Sequence, residues 1–351
     1  MRLNKKFILA AAIAIVAVIC GVFGWIQLSS GAVDKKDTST IVVEIPAGSS
    51  TGLIADILKE QGTVKNTTVF KIKSKLGGYD GTYKAGQYAV SKSMSMKEQM
   101  EVIKSGKTVG QLFTILDGNT LEKDSKAVEK AGIVSSDAFL KEAANGTFNY
   151  KFLEGIPKRA NRLEGFLYPD TYQVPMDADA HQVIDVMLKQ FDKVFTDEYY
   201  AQAKKMNRSV LEIMTVASIV EREAKTAEDK KNVASVIYNR LDINMPLQMD
   251  SILAYITGEE KIKASLADTQ VESEYNPYQN RGLPPGPICS PGKESIEAAL
   301  YPADTKYLYF VATEKLDGTN VFSETYEEFL KDKAAFDKAY KEYIKKNPGK
   351  V

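Results

Sequence analysis

The sequence predicts an α+β protein: an N-terminal single transmembrane helix, a small α+β module, then a larger mixed α+β domain. Three observations carry this. An uninterrupted apolar run fills positions 7–26. Behind it, short β-branched segments alternate with segments of 3.6-residue apolar period, the pattern of strands interleaved with amphipathic helices. One stretch, Ser209 to Ala224, is apolar nearly all round, and such a helix belongs inside a core. At 351 residues the chain is long enough for two compact domains and their connections.

The N-terminus suggests the compartment. Arg2, Lys5 and Lys6 precede an apolar run of about 20 residues, which at about 1.5 Å per residue matches a hydrocarbon core of about 30 Å. The positive-inside rule then puts residues 1–6 in the cytoplasm, the helix at 7–28, and everything beyond Leu28 outside a cell membrane crossed once. A cleaved signal peptide is the competing reading, but the run exceeds a typical signal core and no A-x-A-like site follows it closely. Ile19 before Cys20 argues against a lipoprotein, where a small residue is expected.

Composition removes several kinds of chemistry. Lys+Arg and Asp+Glu are equal at 46 each, so no basic field points to nucleic acid. His181 is the one histidine, set in M-D-A-D-A-H-Q like a surface or helix-start residue. Cys20 falls in the apolar run and Cys289 is the other cysteine. That leaves no intrachain disulfide for the outer part, no metal site and no cofactor to expect. Chemistry is left to carboxylates, amides, hydroxyls and tyrosines.

The small polar residues 29–40 read as a linker. Ile41 to Ile45 is a β-branched strand, and Pro46-Ala47-Gly48 turns into a helix at 51–61 with Leu53, Ile54, Ile57 and Leu58 at helical spacing. A second helix at 66–76, a strand at 82–90 and a helix at 95–103 complete a module over 41–106. The larger domain, 107–346, opens with a strand at 109–116 and helices at 122–130 and 136–145. The aromatic and turn-rich L-E-G-F-L-Y-P-D-T-Y at 163–172 resists assignment. Helical pattern resumes over 180–203, returns at 209–224, and continues from the Thr226 cap along Val233, Val236, Ile237 and Leu241. A short helix at 252–258, a proline- and glycine-rich stretch at 276–292, a helix at 295–300 and strands at 307–312 and 319–322 follow. A Lys-rich amphipathic helix at 326–346 ends the chain as a solvated cover.

The apolar helix at 209–224 starts with Ser209 and Glu212 in capping-box spacing and ends in Glu221, Arg222, Glu223. A carboxylate at the end of a buried helix loses hydration, which disfavours its charge and raises its pKa toward proton donation near neutrality. Two residues apart on a helix, Glu221 and Glu223 point about 200° apart, so they serve different faces. Periodicity does not choose between them, because small or apolar residues lie one turn below both.

Several stretches together resemble the MltG (YceG-like) family of endolytic murein transglycosylases. They are L-E-G-F-L-Y-P-D-T-Y at 163–172, A-S-I-V-E-R-E-A at 217–224, V-I-Y-N-R-L at 236–241 and L-Q-M-D-S at 247–251. Y-N-P-Y at 275–278, G-L-P-P-G-P-I at 282–288 and Y-L-Y-F-V at 307–311 continue the set. The resemblance implies a LysM-like subdomain at 41–106 and a YceG-like catalytic domain at 107–346. It implies an enzyme that cuts the MurNAc–GlcNAc β-1,4 bond of nascent glycan strands to leave 1,6-anhydroMurNAc ends, terminating strand elongation. Peptidoglycan strands, the cell membrane, penicillin-binding proteins and the wall elongation or division machinery are the implied partners. The family motif places its catalytic glutamate on Glu221, with Ser218, Glu223, Asn239 and Arg240 in support. Where the family often has histidines, this chain has Asn320 and Phe329.

A lytic transglycosylase can work with one carboxyl group, which protonates the leaving oxygen and then takes the proton of the MurNAc C6 hydroxyl. Gln248, Asp250, Tyr275, Asn276 and Tyr278 fit a sugar cleft, where amides bond hydroxyls and aromatic faces stack on rings; turn chemistry accounts for them equally. Glu164, Asp170 and Tyr172 lie between substrate contact and backbone capping. Two other readings remain: a non-catalytic membrane-tethered peptidoglycan-binding scaffold, and a hydrolase pairing Glu221 with Asp250 or Glu164.

Overall fold

The computed structural model describes residues 5–258 and 265–347, and the chain divides into two compact units after Gln111, rather than after Gly106 as the sequence suggests. The first unit holds α1 (Lys5–Ser30), β1 (Ile41–Ile45), α2 (Thr51–Glu60), α3 (Thr67–Leu76), β2 (Gly86–Val90) and α4 (Met96–Ser105). Ser50, Asn66 and Ser95 cap the three short helices, each side chain accepting a first-turn N–H. β1 and β2 pair antiparallel from Ile41↔Val90 to Ile45↔Gly86. Their alternation turns Val43, Ile45, Tyr88 and Val90 onto Ile54, Leu58, Phe70, Met100 and Ile103, the core of this unit.

Two expectations change here. The strand expected at 82–90 starts only at Gly86, whose φ of 137° and close approach to the Thr108 methyl admit no side chain. The expected free linker is pinned at its far end, where Asp34 N–H donates to the Lys92 carbonyl at 3.0 Å and Ser93 N–H to the Asp37 carbonyl at 3.1 Å. A Lys92–Asp37 ion pair at 3.1 Å adds to this. The run 7–26 lies within α1, and the side chains of 5–13, Ile15 and Ile19 are outside the described residues. Among the described residues no helix is long and apolar enough to cross a membrane.

The boundary falls after the first residue of β3 (Gln111–Thr114), and the second unit goes on through α5 (Leu121–Lys130), α6 (Ser136–Asn145), β4 (Thr171–Val174), α7 (Ala180–Val194) and α8 (Asp197–Lys205). It continues with α9 (Val210–Glu223), α10 (Ala227–Asp242), α11 (Asp250–Thr257), α12 (Lys293–Leu300), β5 (Tyr309–Ala312), β6 (Asn320–Ser323) and α13 (Tyr326–Lys346). β3 pairs with β4, and β5 with β6 antiparallel in the register Tyr309↔Ser323. The helical pattern at 180–203 is two helices, not one. Thr196 takes N-cap backbone geometry with Asp197 and Glu198 behind it, so a new helix starts while the Phe195 ring stays buried against Phe191, Tyr199 and Tyr200.

α9 is the axis of this unit. The Ser209–Glu212 capping box is formed, and every residue from Ile213 to Val220 is buried, walled by α8, α10, α11 and α12. The two hydroxyls inside are satisfied locally, Thr215 Oγ1 donating to the Leu211 carbonyl at 2.7 Å and Ser218 Oγ to the Thr215 carbonyl at 2.8 Å. α13 buries none of its residues, as its charge pattern predicts. Because Ile213 is fully enclosed, Ile213→Ala should destabilise the protein by ~2–5 kcal/mol. A denaturant midpoint indistinguishable from wild type would contradict this packing.

Candidate active site

The two acids ending α9 go to opposite neighbours. Glu221 turns to the N-terminus of α12. Its Oε2 accepts the Gly292 N–H at 3.1 Å, the Ser295 hydroxyl at 2.6 Å and the Lys230 ammonium at 3.4 Å. Lys230 is itself buried and also faces Glu294 at 3.8 Å. Glu221 is therefore an acceptor of three donors on one oxygen, including a charge-assisted pair. Asp117 belongs to the same polar nest: burial raises its pKa, the Glu221 charge adds to that, and Lys230 opposes it.

Glu223 turns to the N-terminus of α11. Its Oε1 accepts the Ser251 N–H at 3.4 Å, and the charges that act on it are those of Asp250 and Arg222. Desolvation raises its pKa, the Ser251 hydroxyl and amide offset part of that, Asp250 raises it again and Arg222 lowers it. The residue is half-buried, as Glu221 is, with its carboxyl in surroundings that desolvate it. That is the condition a proton donor near neutrality needs.

Beside this end of α9 lies a cleft of about 700 Å³ whose lining includes Arg222, Ser251, Glu164, Asn161, Tyr255 and Tyr275. Asn161 Nδ2 donates to both tyrosine hydroxyls, Tyr275 at 2.9 Å and Tyr255 at 3.2 Å, and the two rings lie 5.3 Å apart at 45°. Tyr255 donates in turn to Glu164 Oε2 at 3.2 Å, while Glu164 Oε1 accepts the Leu121 N–H at 2.9 Å. Glu164 is only 3% exposed, and burial pushes its pKa up to about 8 against the pull of the Leu121 amide. Its neighbour Asp124 is pushed up to about 7 by burial, with Asn119 and Ser290 pulling the other way. The cleft therefore offers an aromatic wall, neutral polar groups and two acids of raised pKa, Glu164 and Glu223, at or beside it.

With this geometry in place, the comparisons decide the family. A model of the YceG-like family matches residues 43–335. The chain belongs to the YceG-like family. The endolytic murein transglycosylase of Bacillus subtilis (strain 168) is 34% identical over 317 residues, covering 87% of each chain. That of Streptococcus pneumoniae serotype 2 (strain D39 / NCTC 7466) is 34% identical over 307 residues, 80% of this chain and 55% of that one. This chain thus spans about half the length of the pneumococcal relative. The crystal structure of a YceG-like protein from Listeria monocytogenes is 36% identical, with a TM-score of 0.57 over 84% of this chain and 99% of that one.

Within this YceG-like chain the expected site residues separate into groups. Glu164 and Tyr275 line the cleft. Asp250 and Tyr278 meet each other, the tyrosine hydroxyl donating to Asp250 Oδ1 at 2.7 Å next to the Glu223 contact. Gln248 is exposed, at φ 48°, with its N–H donating to the Pro277 carbonyl at 3.3 Å. Asn276 is fully buried, its Nδ2 donating to the Val271 and Thr269 carbonyls and its Oδ1 accepting the Tyr278 N–H at 2.9 Å, so its amide holds the loop. Tyr172 is buried against the Phe113 ring, its hydroxyl donating to the Tyr168 carbonyl. Asp170 accepts from Gln190 at 2.9 Å and from the Thr171 N–H at 2.7 Å.

Ser218 lies inside α9, its hydroxyl accepting the N–H of the cleft-lining Ile288 at 3.0 Å. Asn239 and Arg240 hold the chain that enters β5. Asn239 Nδ2 donates to the Thr305 and Tyr307 carbonyls, and Arg240 Nε to the Leu308 carbonyl at 2.6 Å. His181 sits on the first turn of α7, paired with Glu142 at 2.8 Å and stacked on Phe148, away from any of these groups. Sequence reading missed Asn161, Tyr255, Ser251, Lys230 and Ser295. Tyr255 and Ser251 carried a signal, since they lie on the short helix directly after L-Q-M-D; the others lie in segments with no local mark.

Glu164 sets a pH dependence. Its carboxyl titrates near ~4.3 in the unfolded chain and at about 8 in the fold. The folded state therefore holds an extra proton between these values, and the associated stability is present below the lower value and lost as pH rises through the higher. Asp124 acts in the same direction up to about 7. The denaturant midpoint should fall from about pH 5 to about pH 9, and Glu164→Gln, neutral at every pH, should flatten that fall. A variant with an unaltered pH dependence would remove Glu164 as its source.

Proposed function

We infer that this protein is an endolytic peptidoglycan lytic transglycosylase. It cleaves the MurNAc–GlcNAc β-1,4 bond within nascent glycan strands and leaves 1,6-anhydroMurNAc ends. Family membership and the activity named for the relatives support the reaction class. The observation that carries the mechanism is the placement of Glu223, desolvated on the α11 N-terminus beside a cleft with an aromatic wall. The sequence motif pointed to Glu221, but its Oε2 is taken up by three donors around the α12 N-terminus, one of them Lys230, whereas Glu223 bonds the cleft-lining Ser251. Glu223 is our choice as general acid and base.

In the first step the Glu223 proton passes to the glycosidic oxygen as the C1–O4 bond breaks, and GlcNAc leaves as an alcohol. In the second, the Glu223 carboxylate takes the proton of the C6 hydroxyl while O6 closes on C1, which regenerates the acid and consumes no water. Because the nucleophile is part of the substrate, its effective concentration is high and a second carboxylate to activate water is not required. Tyr255 and Tyr275 offer faces to sugar rings, and Asn161 fixes their hydroxyls. The anchor is the helix over 7–28, with residues 1–6 cytoplasmic and the catalytic part outside the membrane. The 41–106 unit acts as a LysM-like glycan holder. Cutting nascent strands at that location would terminate their elongation alongside penicillin-binding synthases.

Mass spectrometry of glycan products tests this reading. Wild-type protein should yield anhydro ends. Glu223→Gln should lower turnover about 10²–10⁴-fold with the fold intact, whereas Glu221→Gln should mainly lower stability. The reverse ranking would return the acid to Glu221. Reducing MurNAc ends would replace the transglycosylase by a hydrolase, and absence of cleavage would favour a binding scaffold.

A further inference from the structure

The chain leaves α9 abruptly after Glu223, because Ala224 is extended at φ −137°, ψ 144°. The carbonyl of Glu223 therefore has no following helical turn to bond it. It is met from far along the chain, by Asn320 Nδ2 at 3.2 Å. Asn320 begins β6, and its backbone N–H donates to Asp229 Oδ2 at 2.8 Å on the first turn of α10. Asp229 is buried, and its own N–H donates to the Thr226 cap at 3.1 Å. The β5–β6 hairpin is tied to α10 at its other end by Asn239 and Arg240. A continuous path thus runs from α10 through the hairpin to the main chain of the proposed acid.

We propose that Asn320 is a positioning residue, whose side-chain amide fixes the last turn of α9 at Glu223 and so sets the distance of that carboxyl from the cleft. This rests on the reading of Glu223 as the acid. The side chain needs an N–H donor at that point and nothing else; the strand itself is held by the backbone bond to Asp229, which side-chain substitutions leave in place. An imidazole N–H can stand where the amide N–H stands, so histidine at this position serves the same purpose.

The test uses the full chain and three variants. Asn320→Asp, of the same shape but with an acceptor facing the carbonyl, and Asn320→Ala, with no donor, should lower kcat about 10–100-fold, the loss expected for a misplacement near 1 Å. KM and the thermal midpoint should stay near wild type, and Asn320→His should recover most of kcat. Wild-type kcat in the Asp and Ala variants would overturn the proposal, as would a loss that follows unfolding or that histidine does not repair. Glu223→Gln run in parallel separates the two ideas. An active Glu223→Gln enzyme removes the acid assignment, whereas an inactive one with wild-type kcat in Asn320→Asp removes only the positioning role.

Discussion

The enclosure of α9 is the constraint on which the larger unit depends. From Ile213 to Val220 the helix has no wet face, so its C-terminal turn is delivered to one place in the fold without freedom to tilt. Two acids emerge there on opposite sides, and each meets the N-terminus of a different eight-residue helix, Glu221 at α12 and Glu223 at α11. Helix N-termini carry unpaired N–H groups and partial positive charge, which makes them natural partners for carboxylates. At α12 the Ser295 hydroxyl joins in and Lys230 reaches over from α10, whereas at α11 the main addition is desolvation. The difference in chemistry between two nearly adjacent glutamates is thus a difference in what the neighbouring helices bring.

The proline- and glycine-rich segment completes the surroundings with few side chains. Ile288 N–H bonds Ser218 Oγ, Cys289 Sγ donates to the Ser218 carbonyl at 3.3 Å, and Ser290 exchanges backbone bonds with Gly118 and Asn119. Gly165, at φ 81°, lies so close to Pro287 that a Cβ would meet it at 2.5 Å. The 163–172 motif and the 282–292 segment are therefore pressed together at Gly165, next to the buried Glu164. Its raised pKa follows from packing, as does that of Asp124 beneath the same junction. Burying two carboxyls together disfavours their charged forms, so the fold holds protons on this pair at neutral pH that the unfolded chain would have released.

Much of this was legible locally. Caps at Ser209 and Thr226 announced helices that form there, because a cap needs only residues three apart. The β-branched segments marked five of the six described strands; β4 began in the turn-rich stretch that resisted assignment, and the break at Phe195–Thr196 escaped a periodicity that runs through it. Asn276 and Tyr278 show the limit. Both were chosen for polar chemistry in one loop, yet Asn276 spends its amide on its own turn while Tyr278 reaches Asp250.

The sequence by itself determined the alternation of helices and strands, the buried character of α9, the pair of acids at its end and the family through its ordered motifs. All of these rest on spacing within a few residues or on the linear order of segments. Only the tertiary structure decided which acid is spent on a lysine and which is desolvated, and which polar loop residues face the cleft. Those outcomes hang on Ser295 meeting Glu221, Tyr255 meeting Glu164 and Asn320 meeting Glu223, contacts between residues 74, 91 and 97 positions apart. Periodicity has no reach over such distances, because it fixes the face a side chain occupies and not the atom it meets.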